Sequence, residues 1–489
     1  MPECEQPHRA PLRAYFIPAA LLLATFIPGV NAGFWRVDNP LYAAVSKFAF
    51  DSGSLWTLHA GDQLYFNKPP LAFWVHGLFL HLLGPELWVS RIPSFFVALA
   101  TVLLTVDTAR RLAGHRAALA SGVVLALTLE YFRAMHSISL DLWLALCITG
   151  SAWALAAGLG SKRALRWSIA AGLFLGAGLM VKPLIALAAL PFFAIWLAVI
   201  RERRALTSLA LIAIVAVIIA LPWHLSMISL HGDAFTAEYF GSQIVDRVTT
   251  DAHGSRPWWD YIEQLASTYW PWLITFLLGL PLLRGEQLRK PEQRLGMLSL
   301  IFTLGWIAML SVSSDKAGRY LIPAYPFASF LSGLWLARAV PASFWEGTKV
   351  IRLALAAPTV AMIIALIGIA PHDPIPRHWG ELREFVRTHP DADFCINPRS
   401  RTLGAQLYLM RSAWPAIARW ADDTDPSLRA VDPPAGTLMI SRRSSALSPR
   451  PTDEIAFENT QFIVWRLTTD WEGVYSVRPG SALDETDDE

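Results

Sequence analysis

The sequence predicts a polytopic membrane protein that is mainly α-helical and ends in a small α/β soluble domain. Of its 489 residues, 54% are hydrophobic and only 16% are charged, whereas an ordinary soluble domain carries about 25% charged residues. So few charges cannot cover the surface of a soluble fold of this size. The high apolar content excludes intrinsic disorder, and the net charge of +2 excludes a basic nucleic-acid-binding protein.

Apolar stretches long enough to cross a bilayer recur along residues 1–370. A spanning helix needs about 20 apolar residues, and the pattern predicts about 11–13 such helices. Eleven can be placed from the sequence: 14–30, 93–109, 117–132, 140–158, 167–181, 184–200, 206–223, 268–283, 295–312, 320–337 and 353–370. The first is interpreted as a transmembrane helix and not as a signal peptide, because no clear small-x-small cleavage site accompanies it.

Basic residues between the spans predict the orientation. The stretch 70–84 is short and contains two histidines, so it is interpreted as a helix in the outer membrane interface. Every basic cluster then falls on one side, which is the cytoplasmic side by the positive-inside rule. The N-terminus is expected to be cytoplasmic, and the large loops 31–92 and 224–266 are expected outside. An aromatic-rich stretch, 258–272, suits an interfacial belt that anchors the protein.

The composition changes after residue 371, where prolines are followed by frequent charges. A helix is predicted at 379–389, and strands are predicted at 392–397, 436–441 and 461–467. Residues 371–489 are therefore expected to form an extracytoplasmic α/β domain, while residues 1–370 form the membrane domain.

Several charged residues at the outer ends of the spans are candidates for chemistry, since charges there are costly and often functional. They are Asp38, Lys68, Asp141, Lys182, Arg256 and Arg319. Each has a structural explanation by itself: a helix cap, a snorkelling lysine or a tight turn. Together they place carboxylates and cations on one face of the membrane. This combination fits a phosphate leaving group and a nucleophile that needs activation.

The order of five short motifs resembles the polyprenyl-phosphate-sugar glycosyltransferases of the GT-C fold. It resembles in particular the aminoarabinose transferases that modify lipid A and, more distantly, the protein O-mannosyltransferases. The motifs are D-x-P-x-Y at 38–42, N-K-P-P at 67–70, the span-initial Asp141, L-x-x-K-P at 179–183 and R-Y-L-I-P-A-Y-P at 319–326. The resemblance covers about residues 14–340.

The resemblance implies an inverting sugar transfer on the outer face of a bacterial inner membrane. A sugar carried on undecaprenyl phosphate would pass to a cell-envelope acceptor, namely lipid A, a glycan or a protein. Asp38 would deprotonate the acceptor, and Asp141 would orient the sugar or a cationic neighbour. The implied phosphate-binding residues are Lys68, Lys182, Arg256 and Arg319, and the implied substrate-binding residues are Tyr42, Tyr320 and His253.

The chain departs from the family pattern in three motifs, one of which reads L-T-K-G-P in the family and Met180-Val181-Lys182-Pro183 here. The family shows D-E-x-R-Y where this chain has Asn39 after Asp38, and E-K-P-P where it has Asn67 before Lys68. Divalent cations are bound by such carboxylates. No cofactor is therefore assigned, and the loss of these carboxylates disfavours a divalent metal. The departures also weaken an assignment to the aminoarabinose substrate.

Two other functions stay open at this stage. A transporter or flippase of polyprenyl-linked sugars would show internal repeats and polar groups at the bilayer midplane, whereas the charges here lie at the span ends. A non-catalytic, degenerate family member would fit the changes at Asn39 and Asn67. The retained Asp38, Lys68 and Asp141 favour an enzyme.

Overall fold

The structure is a computed structural model. It describes residues 12–30, 38–61, 63–246, 257–283, 290–313, 316–346, 377–396, 407–409, 416–417, 432–443 and 449–470. The predicted span 353–370 and two candidate site residues, His253 and Arg256, lie outside these described residues.

Helices dominate the described chain. The α-helices are α1 (Arg13–Gly29), α2 (Asp38–Asp51), α3 (Leu71–Leu83), α4 (Leu87–Ala126), α5 (Leu129–Met135), α6 (Leu140–Gly158), α7 (Ala164–Leu179), α8 (Pro183–Leu187), α9 (Ala189–Val199), α10 (Ala205–Thr236), α11 (Asp260–Thr268), α12 (Trp272–Gly279), α13 (Pro291–Ser311), α14 (Tyr325–Ala339), α15 (Ala342–Glu346) and α16 (Arg377–Thr388). A π-helix follows α10 at Ala237–Asp246, and 3₁₀ turns lie at Leu280–Leu283 and Gly318–Ala324.

The protein is a multi-pass membrane protein. Among the described residues, five helical segments are long and apolar enough to cross a membrane, or six if α11 and α12 with its 3₁₀ extension form one span broken by a 112° bend. Shorter apolar helices occupy the predicted stretches 14–30, 167–181 and 184–200. The predicted spans 93–109 and 117–132 both begin in α4, which breaks at Gly114, where a φ of 81° interrupts the helix.

Close packing of small residues joins helices within the first of two compact units, which comprises residues 1–30, 66–72 and 91–370. On α7, Gly172 and Gly176 face Val215 and Ile219 of α10. A Cβ at either glycine would lie 2.7 Å from the opposing side chain. This GxxxG spacing lets two helix backbones approach closely, which is a common packing mode of membrane helices.

The second unit comprises residues 31–65, 73–90 and 371–489. Its C-terminal part is a five-stranded mixed sheet in the order β4-β3-β5-β7-β6. The strands are β3 (Phe394–Ile396), β4 (Ala416–Ile417), β5 (Leu438–Arg442), β6 (Glu454–Glu458) and β7 (Phe462–Arg466), and a short hairpin pairs β1 (His59–Ala60) with β2 (Gln63–Leu64). The small C-terminal α/β region is thus confirmed.

The predicted helix 379–389 corresponds to α16, and the three predicted strands correspond to β3, β5 and β7. Leu382 and Val386 of α16 pack on the buried face of the sheet, against residues such as Phe394 and Val464. The strands β4 and β6 were not predicted. The first has two residues, and the second is an exposed edge strand bounded by Glu454 and Glu458, so neither carries a clear apolar pattern.

Within the second unit, α2 contacts a helical turn at 407–409. The Tyr408 hydroxyl donates a hydrogen bond to Asp51 Oδ2 at 2.5 Å, and Ala44 packs against the Tyr408 ring. Lys47 also binds Asp51, and its Nζ lies 5.3 Å from the centre of the Tyr408 ring. These hydrogen bonds and ring contacts therefore hold α2 to the turn at 407–409.

Candidate functional site

The site is built around the N-terminus of α6. The preceding Ser139 caps this helix, because its Oγ accepts a hydrogen bond from the Leu142 N–H at 3.3 Å. Asp141 lies in the first turn, where the helix dipole favours a carboxylate, and only 4% of the residue is exposed. A carboxylate this buried needs a partner of opposite charge.

Lys182 supplies that partner from the turn between α7 and α8. Its Nζ donates to Asp141 Oδ1 at 2.7 Å. The turn is fixed locally, since the Lys182 N–H bonds the Gly178 carbonyl at 2.9 Å and Pro183 starts the next helix. The two candidates are 41 residues apart in sequence, and together they form a buried ion pair.

Tyr320 and Arg319 continue the site from the 3₁₀ turn Gly318–Ala324. The Tyr320 ring centre lies 5.0 Å from Lys182 Nζ, and the Arg319 guanidinium lies 5.5 Å from the same ring. Both distances are within the range of a cation–π contact. The Lys182 ammonium therefore contacts both the Asp141 carboxylate and the Tyr320 ring, and the same ring contacts the Arg319 guanidinium.

Lys68 belongs to the same unit and lies in a half-buried bend. The segment that carries it is held at both ends. Phe66 packs on His231 and Phe235, with ring centres 5.0 and 5.4 Å away. The Leu71 N–H bonds the Met180 carbonyl at 3.2 Å, two residues before Lys182. These contacts place the N-K-P-P segment beside the turn that carries Lys182.

Two other candidates are carried by α2. Asp38 is the first residue of α2, and Tyr42 is on the same helix. The centre of the Tyr42 ring lies 5.5 Å from the centre of the Phe73 ring. Both belong to the second unit. Among the described residues, no group of three or more His, Cys, Asp or Glu side chains is arranged to hold a metal ion.

Two aromatic residues that support the site were not among the candidates. Trp306 on α13 donates its Nε1–H to the Tyr320 carbonyl at 2.8 Å, and the Tyr261 hydroxyl on α11 accepts a hydrogen bond from the Ala317 N–H at 3.2 Å. In the sequence, Trp306 is one apolar residue within a span, and Tyr261 is part of the aromatic stretch interpreted as a membrane anchor. Neither pattern indicates a contact with a distant turn.

The arrangement provides electrostatic stabilisation for an anion. A lysine ammonium held in place by a buried carboxylate is pre-oriented, and a phosphate that gains negative charge in a transition state is stabilised by such fixed cations. The Tyr320 ring lies within cation–π distance of both the ammonium and the guanidinium. Cations arranged in this way can stabilise a phosphate group.

A family model described as dolichyl-phosphate-mannose-protein mannosyltransferase matches residues 67–225. Among curated proteins, the undecaprenyl phosphate-alpha-4-amino-4-deoxy-L-arabinose arabinosyl transferase of Serratia proteamaculans is 30% identical over 325 residues. This match covers 62% of this chain and 56% of that protein. The transferase of the same name from Pseudomonas paraeruginosa is 29% identical over 329 residues, which cover 64% and 58% of the two chains. This chain thus aligns with little more than half the length of these relatives.

Solved structures agree with these relationships. The crystal structure of ArnT from Cupriavidus metallidurans bound to undecaprenyl phosphate has a TM-score of 0.76, at 18% identity, over 92% of this chain and 97% of that chain. The oligosaccharyltransferase of Archaeoglobus fulgidus has a TM-score of 0.55, at 12% identity, over 84% of this chain and 65% of that chain. The chain therefore has the GT-C glycosyltransferase fold, and parts of its sequence are similar to aminoarabinose transferases and to the mannosyltransferase family model.

Proposed function

We propose that the protein is an integral-membrane glycosyltransferase. It moves a sugar, with inversion, from a polyprenyl phosphate such as undecaprenyl phosphate to lipid A, a glycan or a protein of the cell envelope. The observation that carries the proposal is the buried Asp141–Lys182 pair beside Tyr320 and Arg319. It occurs in a fold whose solved representative is bound to undecaprenyl phosphate.

In the transfer, the acceptor oxygen attacks the anomeric carbon and the bond from that carbon to the phosphate oxygen breaks. Polyprenyl phosphate leaves with the electron pair of that bond. Lys182, Arg319 and Lys68, with Arg256, neutralise the negative charge on the departing phosphate. Asp141 fixes Lys182 in place, and Asp38 takes the proton of an acceptor hydroxyl. Tyr42, Tyr320 and His253 contact the substrates.

The reaction takes place on the outer face of a bacterial inner membrane. The N-terminus lies in the cytoplasm, residues 1–370 form the membrane domain, and residues 371–489 form a domain on the outer side. The distribution of basic residues supports this orientation, because the clusters between the spans all fall on the side assigned to the cytoplasm.

Donor consumption tests the proposal. The purified full chain in nanodiscs is offered a panel of undecaprenyl-phosphate sugars with a cell-envelope extract, and mass spectrometry follows donor loss and the gain of sugar mass. Wild type should consume at least one donor. K182M should be slower by about 100-fold or more, the usual effect of removing one transition-state contact. K162M, at an exposed lysine, is the matched control and should behave as wild type.

The role of Asp38 is tested in the same assay. D38N should lose transfer to an acceptor hydroxyl, whereas D391N, at an exposed aspartate of the C-terminal region, should retain it. A lipid flippase would move the donor across the bilayer and leave its sugar bond intact. If no donor on the panel is consumed, or if K182M equals wild type, the transferase proposal is wrong.

A further inference from the structure

Residues of α11 contact the turn that carries Arg319 and Tyr320. Tyr261 is fully buried, and its hydroxyl accepts the Ala317 N–H. Gln264, one helical turn further on, lies against Gly318, where an added Cβ would be 2.7 Å from its Oε1. Asp260 in turn accepts a hydrogen bond from the Gln264 side-chain amide. Two successive turns of α11 thus contact the two residues that precede Arg319.

The C-terminal end of α11 also contacts the chain after Arg319 and Tyr320. Thr268 Oγ1 and the Tyr325 hydroxyl are 2.6 Å apart, and the Tyr269 ring stacks on the Tyr325 ring at 5.7 Å. Trp306 of α13 also donates its Nε1–H to the Tyr320 carbonyl. The contacts at Ala317, Gly318 and Tyr325 therefore lie on both sides of Arg319 and Tyr320 in the sequence.

Tight control of this turn has a chemical consequence. A cation–π contact is effective only within about 6 Å of the ring centre, and the Tyr320 ring already lies 5.0 Å from Lys182 Nζ. A displacement of about 1 Å in a site can cost a factor of about 100 in rate. The distance from the Tyr320 ring to Lys182 Nζ therefore depends on the position of this turn, which α11 contacts.

We infer that Tyr261 is a positioning residue of the site, which acts through Tyr320 and Arg319 and does not itself touch the donor. This inference rests on the proposed function, since it assigns Tyr261 a part in binding the donor phosphate. The buried phenol oxygen gives the Ala317 N–H its acceptor and so fixes the start of the turn. Its removal leaves that turn free to move.

The test measures binding of undecaprenyl phosphate to the full chain in nanodiscs by native mass spectrometry. Y261F keeps the ring and removes the oxygen, and it should weaken binding about tenfold, which is the scale of losing one partly buried hydrogen bond. The matched control is Y269F. Tyr269 is also fully buried, and its hydroxyl oxygen lies 3.2 Å from Ser332 Oγ of α14. Y269F should weaken binding less than about twofold. Q264A is a second, independent variant and should weaken binding several-fold.

A double-mutant cycle separates a positioning role from a loss of folding. Because Tyr261 acts through Tyr320 and Arg319, most of the effect of Y261F on binding should disappear in a Y320A background. If Y261F and Y269F weaken binding equally, or if Y261F has the same effect with and without the Tyr320 ring, Tyr261 is only structural and the inference is overturned. If wild type binds no undecaprenyl phosphate and consumes no donor, the proposed function fails, and with it the role assigned to Tyr261.

Discussion

Asp141 and Lys182 illustrate what a buried charge requires. Their side chains are 5% and 14% exposed, so water does little to stabilise either charge. Each charge is compensated by the other at 2.7 Å and, for Asp141, by the N-terminus of α6. Loss of one partner from a buried pair costs about 3–5 kcal/mol, whereas replacement of both by apolar groups is often neutral.

This difference gives a prediction for the ion pair. The single variants D141L and K182M should each lower the thermal unfolding midpoint, because each leaves one buried charge without its partner. The double variant D141L/K182M should recover most of the midpoint, yet it should not transfer sugar, because the cation for the phosphate is gone. Scanning fluorimetry and the donor-consumption assay measure the two quantities. Recovery of transfer in the double variant would show that the pair is only structural.

At the scale of elements, close approach between helix backbones determines where a side chain can be tolerated. Gly333 of α14 faces α4, and an added Cβ would lie 2.7 Å from the backbone nitrogen of Ser121 and 2.9 Å from its Cα. A backbone cannot rotate away as a side chain can. The packing of α4 against α14 therefore requires a glycine at this position.

The substitution G333A should accordingly destabilise the protein, by about 1–3 kcal/mol as for other overpacked positions. The control is G380A on α16, where no atom lies within 4 Å of the added Cβ. That change should be neutral or stabilise by up to about 1 kcal/mol, because alanine has the higher helix propensity. The thermal unfolding midpoint should fall in G333A and stay the same or rise in G380A, and an equal decrease in both would contradict the contact with α4.

The contact between α2 and the turn at 407–409 should depend on pH. Burial raises the pKa of Asp51, but hydrogen bonds from Lys47, Tyr408 and His81 outweigh burial, and the net pKa lies below the usual 3.8. Burial, together with the bond to Asp51, raises the pKa of Tyr408 above its usual 10.0. The bond is therefore intact at neutral pH, with a neutral phenol donating to a carboxylate.

The sign of each shift gives the expected pH window. As the pH falls below about 4, the unfolded chain protonates Asp51 first, so stability is lost towards acid. As the pH rises above about 10, the unfolded chain deprotonates Tyr408 first, so stability is lost towards alkali. The difference in unfolding midpoint between wild type and Y408F, or D51N, should be largest between these limits and should shrink outside them. A constant difference from pH 3 to 11 would refute the bond.

At the scale of the whole molecule, the chain combines a helical membrane part with a small mixed sheet. The two compact units are not continuous in sequence, since the second takes residues 31–65 and 73–90 as well as the C-terminal 371–489. A variant truncated after residue 370 would therefore lose the partner of α2 as well as the sheet. Experiments on this protein should use the full chain.

The proposed orientation leads to a labelling experiment. In a chain without its native cysteines, K162C lies in a loop assigned to the cytoplasm, and D391C lies in the C-terminal region assigned to the outer side. A membrane-impermeant maleimide applied to intact spheroplasts should label D391C and not K162C. Both sites should react after permeabilisation, because both residues are exposed. The reverse pattern would invert the topology, and labelling of both sites in sealed cells would invalidate the positive-inside assignment.

The sequence by itself determined the membrane class, the approximate position of most helices and the α/β character of the C-terminal region. Hydrophobic periodicity and composition are local properties, so a sequence can report them directly. The sequence also suggested Asp141, Lys182, Tyr320 and Arg319 as separate candidates. Only the tertiary structure decided that Asp141 binds Lys182, that Tyr320 lies beside that pair, and that Tyr261 and Trp306 hold the turn. These contacts join residues 14 to 138 positions apart, and such distances depend on helix packing that no local pattern encodes.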